Sequence, residues 1–266
     1  MAVPVNKKQP GKVAPKITGP MYFYGVSQMP QTSGTSKTGV PPRVTAPGID
    51  SEHKVEAIPL SGALCWITRV SPDFIEELER RMEDLEWLSE ASVLHQRAVS
   101  AISAQVELLP ARFGTVFLSS ATLETHVDSQ KEKLQKAFKR IAGAEEWGVK
   151  VFLTSPAAGR AAVAASSGKD YLQQKAKALA VQNTRRNVPD TETHKLASAL
   201  GRLSRAVAPT GKVSGAQPGL QWQASFLLPR AKRKQWDTVL KRFAQRWGDS
   251  RRIECTGPWP PYSFVE

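Results

Sequence analysis

Apolar positions along the 266-residue chain fall into runs with two periods, and the period of each run sets the element it predicts. Tyr22-Phe23-Tyr24-Gly25-Val26 is an unbroken aromatic and apolar run that reads as a short buried strand. Residues 55–59 and 63–70 are two more extended segments, the second rich in β-branched and aromatic side chains, so a small sheet opens the folded part. Ser71-Pro72-Asp73 then supplies a hydroxyl cap, a proline at the first helical position and an acidic first turn. Phe74, Leu78, Leu85 and Leu88, with Ile75 and Met82, form one stripe at helical spacing, and a second helix carrying Leu94, Ala98, Ile102 and Val106 runs to Pro110. Residues 112–118 follow as a strand, inside which Gly114 predicts a bulge or a close backbone approach.

Helical periodicity resumes over 120–141 and gives way at 147–153 to an alternating pattern typical of a half-buried strand. Residues 156–167, rich in Ala, Gly and Ser, read as a loop, and 169–207 as helix broken at Asn187-Val188-Pro189-Asp190. The second helical segment places Leu196, Leu200, Leu203 and Val207 on one face. A turn-rich break at 215–219 precedes a strand at 220–228. Residues 230–247 form the clearest helix, with Trp236, Val239, Leu240, Phe243 and Trp247 at i, i+3, i+4, i+7 and i+11. A last strand covers 251–256. The whole reads as an α+β plan in which helices cover one face of a mixed or antiparallel sheet.

Composition changes this picture at the ends. Residues 1–20 and 28–50, rich in Pro, Gly, Ser, Thr and Lys, lack the large apolar side chains that offset ordering entropy and are expected to be flexible. The chain carries 37 basic and 24 acidic residues, a net +13 that invites a nucleic-acid reading. Its distribution does not support one. Residues 51–158 hold twelve basic and sixteen acidic side chains, whereas 159–266 carry a net +12 and 1–50 a net +5. No stretch reaches the roughly 18 consecutive apolar residues of a membrane helix, and the start lacks the apolar core of a signal peptide. Cys65 and Cys255 form no CxxC pair and read as reduced core residues.

Candidate chemistry is sparse. His53, His95, His126 and His194 are scattered without metal-ligand spacing, so neither a metal nor a cofactor is expected. Gly34-Thr-Ser-Lys-Thr-Gly39 lacks the glycines and the helix of a phosphate loop. Ser166-Ser-Gly-Lys169 matches SxxK without its usual companions and reads as a chance match. His95 is the best candidate general base, although a lone histidine on an apolar helix more often packs or caps. The acid pairs Glu76-Glu77 and Glu83-Asp84 alternate with Arg80 and Arg81 as on a solvated, salt-bridged face. Arg230, Lys232, Arg233 and Lys234 sit at a helix start, where positive charge opposes the macrodipole; they are candidate partner-binding residues.

The C-terminal Gly257-Pro258-Trp259-Pro260-Pro261-Tyr262-Ser263-Phe264 resembles the signature that ends the gas vesicle accessory proteins F and L. Four further blocks agree in order and spacing. The run at Tyr22–Val26 resembles the family's first strand, Leu109-Pro-Ala-Arg112-Phe113-Gly114-Thr115-Val-Phe117 its LPxRFGTVF block preceded by His95, Glu146-Trp-Gly-Val-Lys-Val151 its EWGVKV strand, and Gly168 to Leu172 a Gly-x-x-Tyr-Leu element. The similarity covers about residues 21–266.

This resemblance implies two α+β domains, an N-terminal one over 21–118 with a flexible loop at 28–50 and a C-terminal, modified ferredoxin-like one over 145–266. A disordered basic extension would occupy 1–20, a connecting helix 119–144, a helical insertion 168–207 and a docked proline and aromatic tail 257–266. It also implies a non-enzymatic accessory role in gas vesicle formation, exercised on the gas vesicle shell protein and other gas vesicle accessory proteins, in the cytoplasm and on the vesicle. The competing classes are a nucleic-acid-binding protein, supported by charge alone, and a hydrolase resting on SxxK.

Overall fold

Thr18–Gln28 (β1) holds the apolar run that the first sheet is built around, and every residue from Met21 to Ser27 is buried. The run does not alternate because both of its faces are covered. Tyr22 and Tyr24 pack on His95 of helix α2 (Leu85–Ser103), while Phe23 meets Phe117 of strand β5 (Val116–Ser119) edge to face. The computed structural model describes residues 17–30, 41–154, 190–209 and 217–265, and the chain divides into two units, Met1–Gln135 and Lys136–Glu266. Residues 1–16 of the extension expected over 1–20, and all of 156–189, lie outside the described residues, whereas 17–20, expected to be flexible, hold the buried Ile17 and the start of β1 because Ile17 and Thr18 pair with Ser120 and Ser119.

In the first unit β1 pairs with β3 (Ala63–Arg69) along one edge and with β4 (Leu108–Pro110) and then β5 along the other, while β2 (Glu56–Leu60) lies beyond β3; all pairings are antiparallel. Helix α1 (Pro72–Arg80) starts as the sequence predicts, with the Ser71 hydroxyl accepting the Phe74 N–H at 3.1 Å. The single stripe expected from Phe74 to Leu88 is instead cut at 81–84, because the Asp84 carboxylate accepts the N–H groups of Glu86 and Trp87 and so founds a new helix, α2. Met82 and Leu85 are consequently exposed.

Further expectations are corrected. Helix α2 stops at Ser103 rather than running to Pro110, since 108–110 are taken up as a strand against β1. Residues 112–115 form a turn rather than part of a strand, with Gly114 at φ 81°. The sheet's bulge falls at Gly25 of β1, where the register shifts between Phe23 and Gly25. Residues 41–50, expected to be flexible with the rest of 28–50, contribute the buried Val44, Ala46 and Ile49. The helix expected over 120–141 is two helices, α3 (Ser120–Ser129) and α4 (Lys131–Ile141), and the division between the units falls within α4.

The second unit runs β6 (Ala144–Leu153), α5 (Thr191–Leu203), β7 (Ala206–Pro209), β8 (Leu220–Pro229), α6 (Arg233–Trp247) and β9 (Arg251–Trp259). Its antiparallel sheet has the order β7-β8-β6-β9, which with this succession is the split βαβ arrangement of a ferredoxin-like fold. Trp147, Val149 and Val151 of β6 and Ala224, Phe226 and Leu228 of β8 meet Leu196 and Leu200 of α5 and Trp236, Phe243 and Trp247 of α6 in one core. Asp190 caps α5 by accepting the Thr193 N–H at 2.8 Å. Val207, expected on the helical face, lies half-exposed in β7, because the chain leaves the helix at Ser204 to pair with β8.

Gly25 tests the close approach at the centre of the first sheet. Its φ is 145°, and an added Cβ would lie 2.3 Å from the Leu109 carbonyl oxygen and 2.9 Å from Pro110 Cα, both backbone atoms that cannot swing away. Gly62 also has a positive φ but meets nothing within 4 Å. In denaturant unfolding, Gly25→Ala should cost about 3 kcal/mol and Gly62→Ala about 1 kcal/mol. Equal losses would remove the steric account.

Candidate functional site

The sequence motifs of the first unit converge on one buried cluster. The Tyr22 hydroxyl accepts the Gly114 N–H at 2.9 Å and shares a hydrogen bond of 2.9 Å with His95 Nδ1. The Phe113 ring stands edge-on to both Tyr22 and His95. Thr115 closes the turn by donating its hydroxyl to the Arg112 carbonyl at 2.7 Å, and its own carbonyl accepts the Phe23 N–H at 2.8 Å. Arg112, Phe113, Gly114 and Thr115 are thus a turn bolted to β1. His95 is 4% exposed, and burial holds its imidazole down at about 4, below the usual 6.5, so it stays neutral at physiological pH. A buried, hydrogen-bonded imidazole beneath two tyrosines is a packing element, and the general-base reading of His95 gains no support from its position.

Tyr24 continues the network outward. Its hydroxyl accepts the Ile49 N–H at 2.8 Å and lies 3.0 Å from Thr68 Oγ1, which in turn donates to the Lys54 carbonyl. Burial pushes this phenol up to about 12, so it remains a donor. The loop at 46–54 is therefore hung from a core hydroxyl. It is tight by itself: the Gly48 N–H donates to the His53 carbonyl, the Asp50 carboxylate accepts the N–H groups of Glu52 and His53, and a Cβ on Gly48 would lie 2.4 Å from the Thr68 side chain.

Between this loop and the helices α1 and α2 lies a groove of about 400 Å³ that the sequence reading missed. Ile49, Phe74, Trp87, Ala91 and Leu94 give it apolar surface, and Asp50, Glu52, Asp73, Glu77 and Glu90 give it five carboxylates. Its only cationic groups are Arg81 and His53. Arg81 binds Glu77 at 2.9 Å and Asp84 at 3.3 Å and reaches over the Trp87 ring, while His53 is held by Asp50 at 2.6 Å, a hydrogen bond that raises its pKa. The salt-bridged face expected on α1 is present in the Glu77–Arg81 pair, but Asp73 and Glu90 form no ion pair among the described residues and Glu52 interacts only with the neighbouring His53. The acidic helix pattern was legible; that a loop some 20 residues earlier would wall it into a groove was not.

The motifs of the second unit meet in the same way. Gly257, at φ 141°, lies where a Cβ would be 2.8 Å from the Trp147 ring. The buried Glu146 carboxylate accepts both the N–H (3.0 Å) and the hydroxyl (2.6 Å) of Ser263, and Phe264 packs with Ala144 and Leu227. Pro260 is buried, Pro261 and Tyr262 are half-buried, and burial raises the Tyr262 phenol, whereas Pro258 and Trp259 remain exposed. Of the four candidate partner-binding cations, Arg230 pairs with Glu145 at 3.0 Å, and Arg233 pairs with Asp237 while its guanidinium stacks 3.5 Å above Trp147. A 3₁₀ turn over 230–232 precedes α6, so these charges are partly explained by local contacts that spacing did not reveal. Lys232 and Lys234 have no acidic partner among the described residues. Both cysteines are free, Cys65 buried and Cys255 partly so, and Ser166 and Lys169 lie outside the described residues. Among the described residues no helix is long and apolar enough to cross a membrane, and no three His, Cys, Asp or Glu side chains are placed to hold a metal ion.

The family model of the gas vesicle synthesis protein GvpL/GvpF matches residues 20–266, and the chain belongs to that family. Gas vesicle protein L of Streptomyces sp. (strain CB03234) is 30% identical over 218 residues, spanning 77% of this chain and 80% of that protein. Gas vesicle protein F of Haloferax mediterranei is 24% identical over 160 residues, 60% of each. The crystal structure of GvpF from Anabaena sp. PCC7120 matches with a TM-score of 0.65 at 19% identity, covering 94% of this chain and 97% of that one. That of GvpF from Microcystis aeruginosa matches at 0.63 and 18%, covering 94% and 100%; both show the shared fold.

The His95 environment makes a signed prediction. Between pH 6.5 and 4 the unfolded chain binds a proton that the folded chain refuses, so stability falls as the pH drops through that window. The loss attributable to His95 should reach about 2 kcal/mol at pH 5. Urea unfolding at pH 7.5 and 5.0 measures it: His95→Asn should flatten the difference, and an unchanged pH dependence would show that the imidazole is not the group responsible.

Proposed function

We propose that this chain acts without catalysis as an accessory protein of gas vesicle assembly, binding the small hydrophobic shell protein and other accessory proteins, and that it stays with the vesicle as a minor component. The observation that carries this reading is the family match across both units, from residue 20 to residue 266. A physical rationale accompanies it. A shell subunit with strongly apolar faces aggregates if left alone, and a partner that covers those faces keeps it available for growth.

The surfaces suited to such a partner differ in how well they are guarded. Among the described residues the edge strand β2 carries Pro59, and the edge strand β7 has four residues ending at Pro209, both devices that discourage strand addition. The edge strand β9 is nine residues long and ends beside the exposed Trp259, which supports it as the pairing edge. Lys232 and Lys234 lie at the start of α6 and support an additional polar contact.

Co-purification from cells expressing the vesicle gene cluster should recover the shell protein with this chain. Recovery should persist up to about 1 M salt, because apolar contacts, unlike phosphate contacts, do not release counterions. Deletion in a strain without a paralogue should impair vesicle formation. Normal vesicles in that strain, or loss of the shell protein from the pull-down, would refute the reading. Lys232→Ser combined with Lys234→Ser should leave the fold intact and lower recovery at moderate salt several-fold; unchanged recovery removes these two residues from the contact.

A further inference from the structure

The family match starts at residue 20, so the cationic segment before it is unaccounted for by family membership. Residues 1–16 carry Lys7, Lys8, Lys12 and Lys16 and no acidic side chain. The groove of the first unit presents the opposite balance, five carboxylates against Arg81 and the Asp50-bound His53. We propose that this acidic groove is the docking site of the chain's own N-terminal segment, residues 1–16.

Three observations support that occupant over others. The segment joins the described chain within reach of the groove: it meets Ile17, which is hydrogen-bonded to Ser120, and three residues on the Pro20 carbonyl accepts the N–H of Val70, the neighbour of the groove residue Ser71. Its length is ample, since sixteen residues reach about 50 Å when extended. The chemistry also fits both parts of the groove. Lys7, Lys8 and Lys12 answer Glu52, Asp73 and Glu90, carboxylates that form no salt bridge among the described residues, and Val3, Val5 and Val13 answer the apolar surface of Ile49, Phe74 and Trp87.

Exposed ion pairs are individually weak and screened beyond about 8 Å at physiological salt, so a free peptide of this composition would bind poorly. Tethering removes that handicap. A short linker gives an effective concentration in the millimolar range, enough to hold a segment whose own affinity is only millimolar. Pro4, Pro10 and Pro15 also lower the entropy that the unbound segment gives up on docking. A basic segment from a second copy or from a partner protein lacks this advantage and must displace the tethered one. The inference stands on the groove and the segment alone and does not depend on the function proposed above.

Zero-length carbodiimide cross-linking of the full chain at low concentration, followed by mass spectrometry of the monomer band, tests it. Expected are links from Lys7, Lys8 or Lys12 to Glu52, Asp73, Glu77 or Glu90, reduced several-fold at about 1 M salt. Links spread evenly over surface carboxylates overturn the proposal, as do links found only in a dimer band, which would place a second copy's segment in the groove. Hydrogen exchange provides a second readout. Replacing all four lysines by serine should speed exchange of the amides at 49–53 and 71–77 about fivefold and leave those of β1 and β3 unchanged. Identical exchange in the two proteins overturns the proposal.

Discussion

A strand paired on both edges and packed on both faces has no water to receive its polar atoms, and in the first unit everything else is arranged around that constraint. The strand is β1, and its polar tips are the hydroxyls of Tyr22 and Tyr24. Tyr22 spends its hydrogen bonds on the Gly114 amide and on His95, which fixes the 112–115 turn and the rotation of α2. Tyr24 spends its own on the Ile49 amide and Thr68, which fixes the loop that forms the lip of the acidic groove. The close approach of Gly25 to Leu109 completes the set, because β4 can lie against β1 only where no Cβ intervenes. Surface features of this unit are therefore held in place by side chains of its innermost strand.

The second unit solves the same problem with different groups. Trp147 on the central strand β6 is enclosed by the Gly257 backbone and by the Arg233 guanidinium, a cation whose planar face can stack on indole while its edge keeps an ion pair with Asp237. Glu146, the residue before it, is buried with its side-chain oxygens accepting two hydrogen bonds from Ser263. The EWGVKV and GPWPPYSF blocks, more than a hundred residues apart, are in this sense one structural unit: the second supplies what the first needs in order to be buried.

The net charge of +13 acquires meaning only once it is located. The acidic side chains of the middle segment are not spread evenly over a solvated face; five of them line one groove. Several cations of the C-terminal half are committed to specific contacts, such as Arg230 to Glu145 and Arg246 to Glu192. Charge that is paired within the fold contributes little to long-range attraction.

Local chemistry was legible wherever an element is decided by its own residues. Ser71-Pro72 caps α1, the Trp236 to Trp247 stripe makes α6, and the unbroken run at 21–26 makes a doubly covered strand, all as their spacing dictates. The amino-acid sequence by itself also determined the family, because five blocks in register are too specific to arise by chance, and it determined the α+β class. What only the tertiary structure decided are outcomes of competition between distant residues. Helix α2 yields 108–110 to β1, Val207 leaves the helix to pair with β8, and the bulge sits at Gly25 rather than Gly114, each because a partner far along the chain offers better burial or a completed hydrogen bond. The groove belongs to this second kind: its walls are 20 to 45 residues apart, and no period in the sequence records that they face each other.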